Sequence, residues 1–193
     1  SVNGNSYDFT IVGAPTEITP MLVKGEVDIA ALPANLAAVI FNSTKGKVRV
    51  IAVNTLGVLY ICENGNSVNS LEDLKGKTIY SSGKGSTPEY ALNFILEQNG
   101  LEDLPIEWKS EHTECVAALL KDPNAVALLP QPFATTAMVQ NPSIRIALDL
   151  NKEWDKVSPE SALLTGVVVA RTDFINENKV AVDNFLESYK EST

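Results

Sequence analysis

Short β-rich apolar runs alternate along the chain with stretches whose apolar positions recur every three or four residues. "YDFTIVGA" reads as a strand, "TEITPMLVKG" as a short helix closing near Gly25, and "VDIAALPA" as a second strand. "NLAAVIFNSTKG" is helical, and "VRVIAVNT" and "VLYICEN" follow as strands. The Gly/Asn/Ser-rich "NGNSVNS" is a loop, the place where the chain crosses between substructures.

A second series starts beyond that loop. Ser70 with Asp73 marks the start of a short helix in "SLEDLKG", and "KTIYS" is a strand. The turn "SSGKGSTPE" leads into a helix running to about Asn99, with Ala91, Leu92, Ile95 and Leu96 at helical spacing. "IEWKS", "AVALLP" and "IRIALDL" read as strands, separated by the helices "TECVAALLK" and "FATTAMVQ". The apolar strand "LLTGVVVAR" and the amphipathic helix "NKVAVDNFLESYK" close the series. This alternation predicts an α/β protein with mainly parallel sheets covered by helices on both faces. The restart after "LYICEN" predicts two sheets, each with its own small core. No internal repeat interrupts the pattern.

Composition narrows the partners. The 193 residues are 45% hydrophobic and 20% charged, as in ordinary globular domains. Fifteen basic residues against 24 acidic ones give a net charge of −9. With no basic stripe to displace counterions from phosphates, a nucleic-acid partner is not expected. Net charge acts on solubility and steering, so a small anion held by local groups stays open. Cys62 and Cys115 form no C-x-x-C pattern and read as buried thiols acting as small apolar residues. No apolar run reaches the roughly 18 residues of a membrane span.

Open α/β sheets hold ligands at the carboxyl ends of their strands, where helix N-termini gather. Pro33, Ala34 and Asn35 end one strand and start a helix, with Asn35 the expected N-cap, a plain cap or a ligand contact. Asn54, Thr55 and Leu56 end another strand. In the turn Ser82-Gly83-Lys84-Gly85-Ser86-Thr87, Ser86 and Glu89 read as a capping box, while Gly83-Lys84-Gly85 leaves amides free to face an anion. The turn is not a nucleotide phosphate loop, because Lys84 precedes a glycine instead of a hydroxyl residue.

His112, the single histidine, stands beside Glu111, Glu114 and Cys115. Nothing completes a metal shell of known spacing, so no metal is expected, and His112, Thr113 and Glu114 read as a helix start lining a cleft. Pro130 to Phe133 form a stiff ledge presenting Gln131 and Phe133, with core packing of Phe133 the alternative. No Ser/His/Asp or Cys/His group at recognisable spacing and no acid–base carboxylate pair is found, so no catalytic residue and no cofactor is assigned.

In this order, "VKGEVDIAALPANLAAVIF", "VIAVNTLGVLYI" and "SLEDLKGKTIYSSGKGSTPEYALNFILEQNGL" resemble the substrate-binding proteins of ABC importers. The nearest branch is the nitrate/sulfonate/taurine and pyrimidine-precursor type, with the type II periplasmic-binding-protein fold. "LLPQPFATTA" sits where that family has a proline-containing ledge, and "TGVVVARTDFINEN" matches its strand returning to the first lobe and the helix start after it. The likeness covers essentially the whole chain. The family normally has a further strand and helix before "YDFTIVGA" and further helices after "FLESYKEST", so the chain reads as a fragment.

The resemblance implies two lobes joined by a hinge, residues 1–64 with 162–193 (incomplete) and residues 65–161, closing over a small molecule in a cleft. It implies a non-enzymatic receptor outside the cytoplasmic membrane, periplasmic or lipid-anchored, monomeric when intact, delivering a small, anionic solute to a membrane permease. Carried over by position, the first lobe offers Pro33, Ala34, Asn35, Thr55 and Leu56. The second offers Ser82, Gly83, Lys84, Gly85, Ser86, Thr87, His112, Thr113, Gln131 and Phe133. Thr165–Gly166 lies near the hinge. An enzyme on the same fold and the effector-binding domain of a transcription regulator are the alternatives.

Overall fold

Two sheets organise the computed structural model, which describes residues 3–13 and 15–192. The chain divides into two compact units, residues 1–55 with 164–193 and residues 56–163.

The contiguous second unit is built on five strands. They are β3 (Leu59–Asn64), β4 (Ile79–Ser82), β5 (Ile106–Lys109), β6 (Val126–Pro130) and β7 (Ile144–Asp149), in the order β5-β4-β6-β3-β7. β4 runs parallel to β5 and β6, as the strand–helix alternation predicts. β3 runs antiparallel to β6 and β7, so the sheet is mixed. Only a single 3-10 turn, Leu71–Leu74, separates β3 from β4, in place of the long crossover helix of a parallel βαβ unit. β3, read in sequence as part of the first lobe, hydrogen-bonds within this second unit.

Strand alternation splits the interior into two cores. Ile61, Val126 and Leu128 point to one face, where α3 (Thr87–Gln98) brings Ala91, Leu92, Ile95 and Leu96. Cys62, Ala127 and Leu129 point to the other, against α4 (His112–Lys121) and α5 (Phe133–Gln140). Both cysteines are free and lie buried in this second core, and burial pushes the Cys62 thiol up to about 12. α6 (Leu150–Val157) was not foreseen: its Asp149 cap accepts the Asn151 amide, and Leu150 seats in the first core. Its one strongly apolar flank is hard to see among the charges of "LNKEWDKV".

The first unit holds β1 (Ile29–Pro33), β2 (Val48–Leu56) and β8 (Leu164–Arg171), in the order β1-β8-β2. β1 pairs antiparallel with β8, from Ile29↔Ala170 to Pro33↔Gly166. Its helices are α1 (Ile18–Lys24), α2 (Ala34–Ser43), α7 (Thr172–Glu177) and α8 (Lys179–Ser192). Leu22, Leu32, Ala37, Ile40, Val48, Val167 and Val169 form the core. α1 stops where expected: Gly25 takes φ 76° and its amide returns to the Leu22 carbonyl while Glu26 returns to Met21.

The strand expected over "YDFTIVGA" is absent from residues 7–13 (Ala14 lies outside the described residues). Its alternating apolar residues supply propensity but no ladder partner, and Phe9 and Ile11 stay exposed while Tyr7 meets Phe185 edge-on.

Candidate functional site

In the second unit, the parallel strands β5, β4 and β6 finish toward one edge of the sheet, where α4, α3 and α5 begin. Ser82 ends β4 in register with Lys109 of β5 and is 2% exposed. Its Oγ lies 2.5 Å from Nδ1 of His112, the first residue of α4. The half-buried imidazole packs on Phe133 of α5, with ring centroids 4.9 Å apart. Ser82, His112 and Phe133, from three separate strand–helix junctions, thus form one cluster. Burial lowers the His112 pKa from its ordinary 6.5, which favours the neutral ring.

The turn between β4 and α3 differs from the sequence reading. Gly83 and Gly85 take φ +80° and +78°, conformations that favour glycine. The Ser86–Glu89 capping box does not form. Ser86 Oγ and the Ser86 amide both donate to the Gly83 carbonyl, at 2.6 and 3.0 Å. With the Ser86 amide so engaged, the Glu89 carboxylate reaches one residue further and accepts the Gly85 amide at 2.5 Å. Thr87 begins the helix and Lys84 is exposed.

At α4 a capping box does form, between Glu111 and Glu114, whose carboxylate also accepts the Ser110 amide at 2.8 Å. This cap accounts for the acidic pair beside His112. Among the described residues no group of three or more His, Cys, Asp or Glu stands ready for a metal. Thr113 is exposed and donates to Glu111, while Gln131, also exposed, accepts from the Thr135 hydroxyl at 2.8 Å.

Two neighbours of the cluster escaped the sequence reading. Lys109 Nζ lies 5.2 Å from the Tyr80 ring centroid and pairs with Glu107 at 2.5 Å. The period-2 alternation of "IYSS" and "IEWK" is the signal that could have placed Tyr80, Ser82 and Lys109 together.

In the first unit, Pro33 lies opposite Gly166 in the β1–β8 ladder, and a Cβ on Gly166 would run into Asn54 Oδ1 and sit 2.9 Å from Thr55 Oγ1. Thr165 Oγ1 donates to the Thr55 carbonyl at 3.1 Å. Pro33, Thr55, Thr165 and Gly166 are therefore neighbours, with Ala34 and Asn35 in the first turn of α2. Asn35 is not the N-cap: Pro33, at φ −59° and ψ 141°, already has the extended geometry a cap needs, so the helix starts two residues earlier. Leu56, expected in the first lobe, is the first residue of the second unit and is 57% exposed.

A family profile described as ABC transporter, phosphonate, periplasmic substrate-binding protein matches residues 2–192. The chain belongs to this substrate-binding family. A solved ABC transporter protein from Parabacteroides distasonis is 25% identical, with a TM-score of 0.71 over 93% of this chain and 59% of its own. The periplasmic aliphatic sulphonate binding protein of Escherichia coli is 18% identical, with a TM-score of 0.72 over 92% of this chain and 59% of its own. The alkanesulfonate-binding protein of Xanthomonas axonopodis pv. citri, solved bound to MOPS, is 17% identical, with a TM-score of 0.59 over 90% of this chain and 58% of its own. No curated protein matches the chain. The chain spans about three-fifths of the length of these solved proteins. The expected periplasmic-binding-protein-like α/β fold is thereby met, and the family and its structural neighbours are transport binding proteins.

Proposed function

We propose that this chain is the solute-binding part of an extracytoplasmic ABC importer receptor that captures a small anionic solute and delivers it to a membrane permease. The family match across residues 2–192 carries the reading. The anionic preference is supported by the edge of the second unit, where α3, α4 and α5 begin beside His112 and Lys109. Helix N-termini favour negative charge, and a neutral imidazole N–H is a donor to an oxyanion. The protein acts as a monomer, without chemistry on the solute.

Calorimetry with methylphosphonate and methanesulfonate tests this. At least one of the two is expected to bind, and neutral dimethyl sulfone is not. Lys84→Glu combined with Ser86→Ala abolishes the binding, and His112→Phe weakens it about tenfold to a hundredfold, as loss of a hydrogen bond to a charged group does. Absence of binding by both anions, or recovery of a chemically altered solute, would sink the proposal.

A further inference from the structure

The Ser82 hydroxyl has two acceptors set around it. One is His112 Nδ1 at 2.5 Å, and the other is the Cys115 thiol, also within hydrogen-bonding reach. Cys115 already has a use for its proton, since its Sγ lies 3.7 Å from the Glu111 carbonyl, to which it donates. A thiol sulfur is a weak acceptor and an imidazole nitrogen a strong one, so the Ser82 proton goes to Nδ1. An imidazole that accepts at Nδ1 while neutral must carry its proton on Nε2.

The rest of the surroundings agree. Ser82 ends a strand that pairs with β6 at Ile79 and Tyr80 and with β5 through Ser82 itself, so its backbone is fixed by the sheet. Phe133 limits rotation of the ring from one side. No described residue partners Nε2, and that atom is not among the buried polar atoms lacking a partner, so it meets solvent. The result is a neutral donor on the surface of the second unit, backed by a hydroxyl that solute cannot reach.

We infer that Ser82 is a positioning residue: it holds His112 as the Nε2–H tautomer, presenting a neutral N–H donor to a solute oxygen. This reassigns Ser82 from solute contact to support of the contact, and it rests on the proposed binding role only for what Nε2 then meets. The site so built selects an acceptor at that point, an oxyanion or carbonyl oxygen, and rejects a solute presenting an N–H or O–H donor there.

His112 is the only histidine in the chain, so its two ring nitrogens can be read by ¹⁵N NMR without ambiguity. At pH 8, with no ligand added, the wild-type protein should show an acceptor-type Nδ1 and a protonated Nε2. Ser82→Ala should move both shifts toward the averaged values of a freely exchanging imidazole, and Ser82→Thr, which keeps the hydroxyl, should restore them. A protonated Nδ1 in the wild type overturns the inference, as do shifts in Ser82→Ala identical to wild type. Methylphosphonate titration separates this from the binding role. About tenfold weaker binding by Ser82→Ala, with rescue by Ser82→Thr, supports positioning for a solute. If the wild type binds neither methylphosphonate nor methanesulfonate, the receptor reading fails while the tautomer is still decided by the free protein.

Discussion

Glu63 shows how one buried carboxylate organises a loop. It is 2% exposed, and burial alone would raise its pKa. The amides of Val68 and Ser67, the Ser67 hydroxyl and the Arg145 guanidinium at 2.5 Å outweigh that and hold it below the ordinary 4.5. Arg145 also donates to the Val68 carbonyl, so acid and base together pin the "NGNSVNS" loop to the sheet. Because the folded pKa is depressed, this stabilisation is complete above the unfolded value near 4.5 and is lost as pH falls through the folded value. Glu63→Gln should lower the urea midpoint at pH 7, and the gap to wild type should narrow as pH falls below 4.5. Arg145→Met should cost about 2–3 kcal/mol at pH 7, since it leaves a buried carboxylate without its cation. Equal midpoints for wild type and Glu63→Gln at pH 7 would show that the loop is held by other contacts. His112 has the same sign: with a lowered pKa it favours the folded state above about 6.5 and disfavours it as pH falls.

Elements meet at fixed distances, and β8 comes close against the end of β2 at Gly166. Gly166 leaves no room for a Cβ beside Asn54 and Thr55. Gly166→Ala should therefore destabilise the protein by roughly 1–3 kcal/mol through overpacking. Adding Asn54→Ala should recover part of the loss, giving a non-additive pair in a double-mutant cycle read by denaturant melts. Strict additivity would mean that the strand shifts instead of clashing. The helices from "SLEDLKG" to "FATTAMVQ" were legible because their caps and periods are local, as in the Ser70–Asp73 box, whereas the Glu111–Glu114 box emerged only in the structure. The cap at Ser86 was misread because its amide and hydroxyl close a turn on Gly83, a choice that residue spacing does not encode.

At the scale of the whole molecule, the second unit is a continuous stretch, residues 56–163, with its own five-stranded sheet and two cores. Expressed alone, it should fold: a dispersed amide spectrum and one cooperative urea transition are expected, and a collapsed, non-cooperative chain would refute its autonomy. The first unit is discontinuous, joining residues 1–55 to 164–193 through the β1–β8 ladder. By itself, the sequence determined the α/β class, nearly all the strands and helices, the buried thiols and the family, because periodicity and motif order are properties of neighbouring residues. It could not supply the partner that "YDFTIVGA" lacks, nor the antiparallel course of β3, because ladders join residues far apart in the chain. The meeting of Ser82 with His112, 30 residues on, and of His112 with Phe133 was likewise decided only in three dimensions. Three parallel junctions had to be stacked side by side before those side chains could touch.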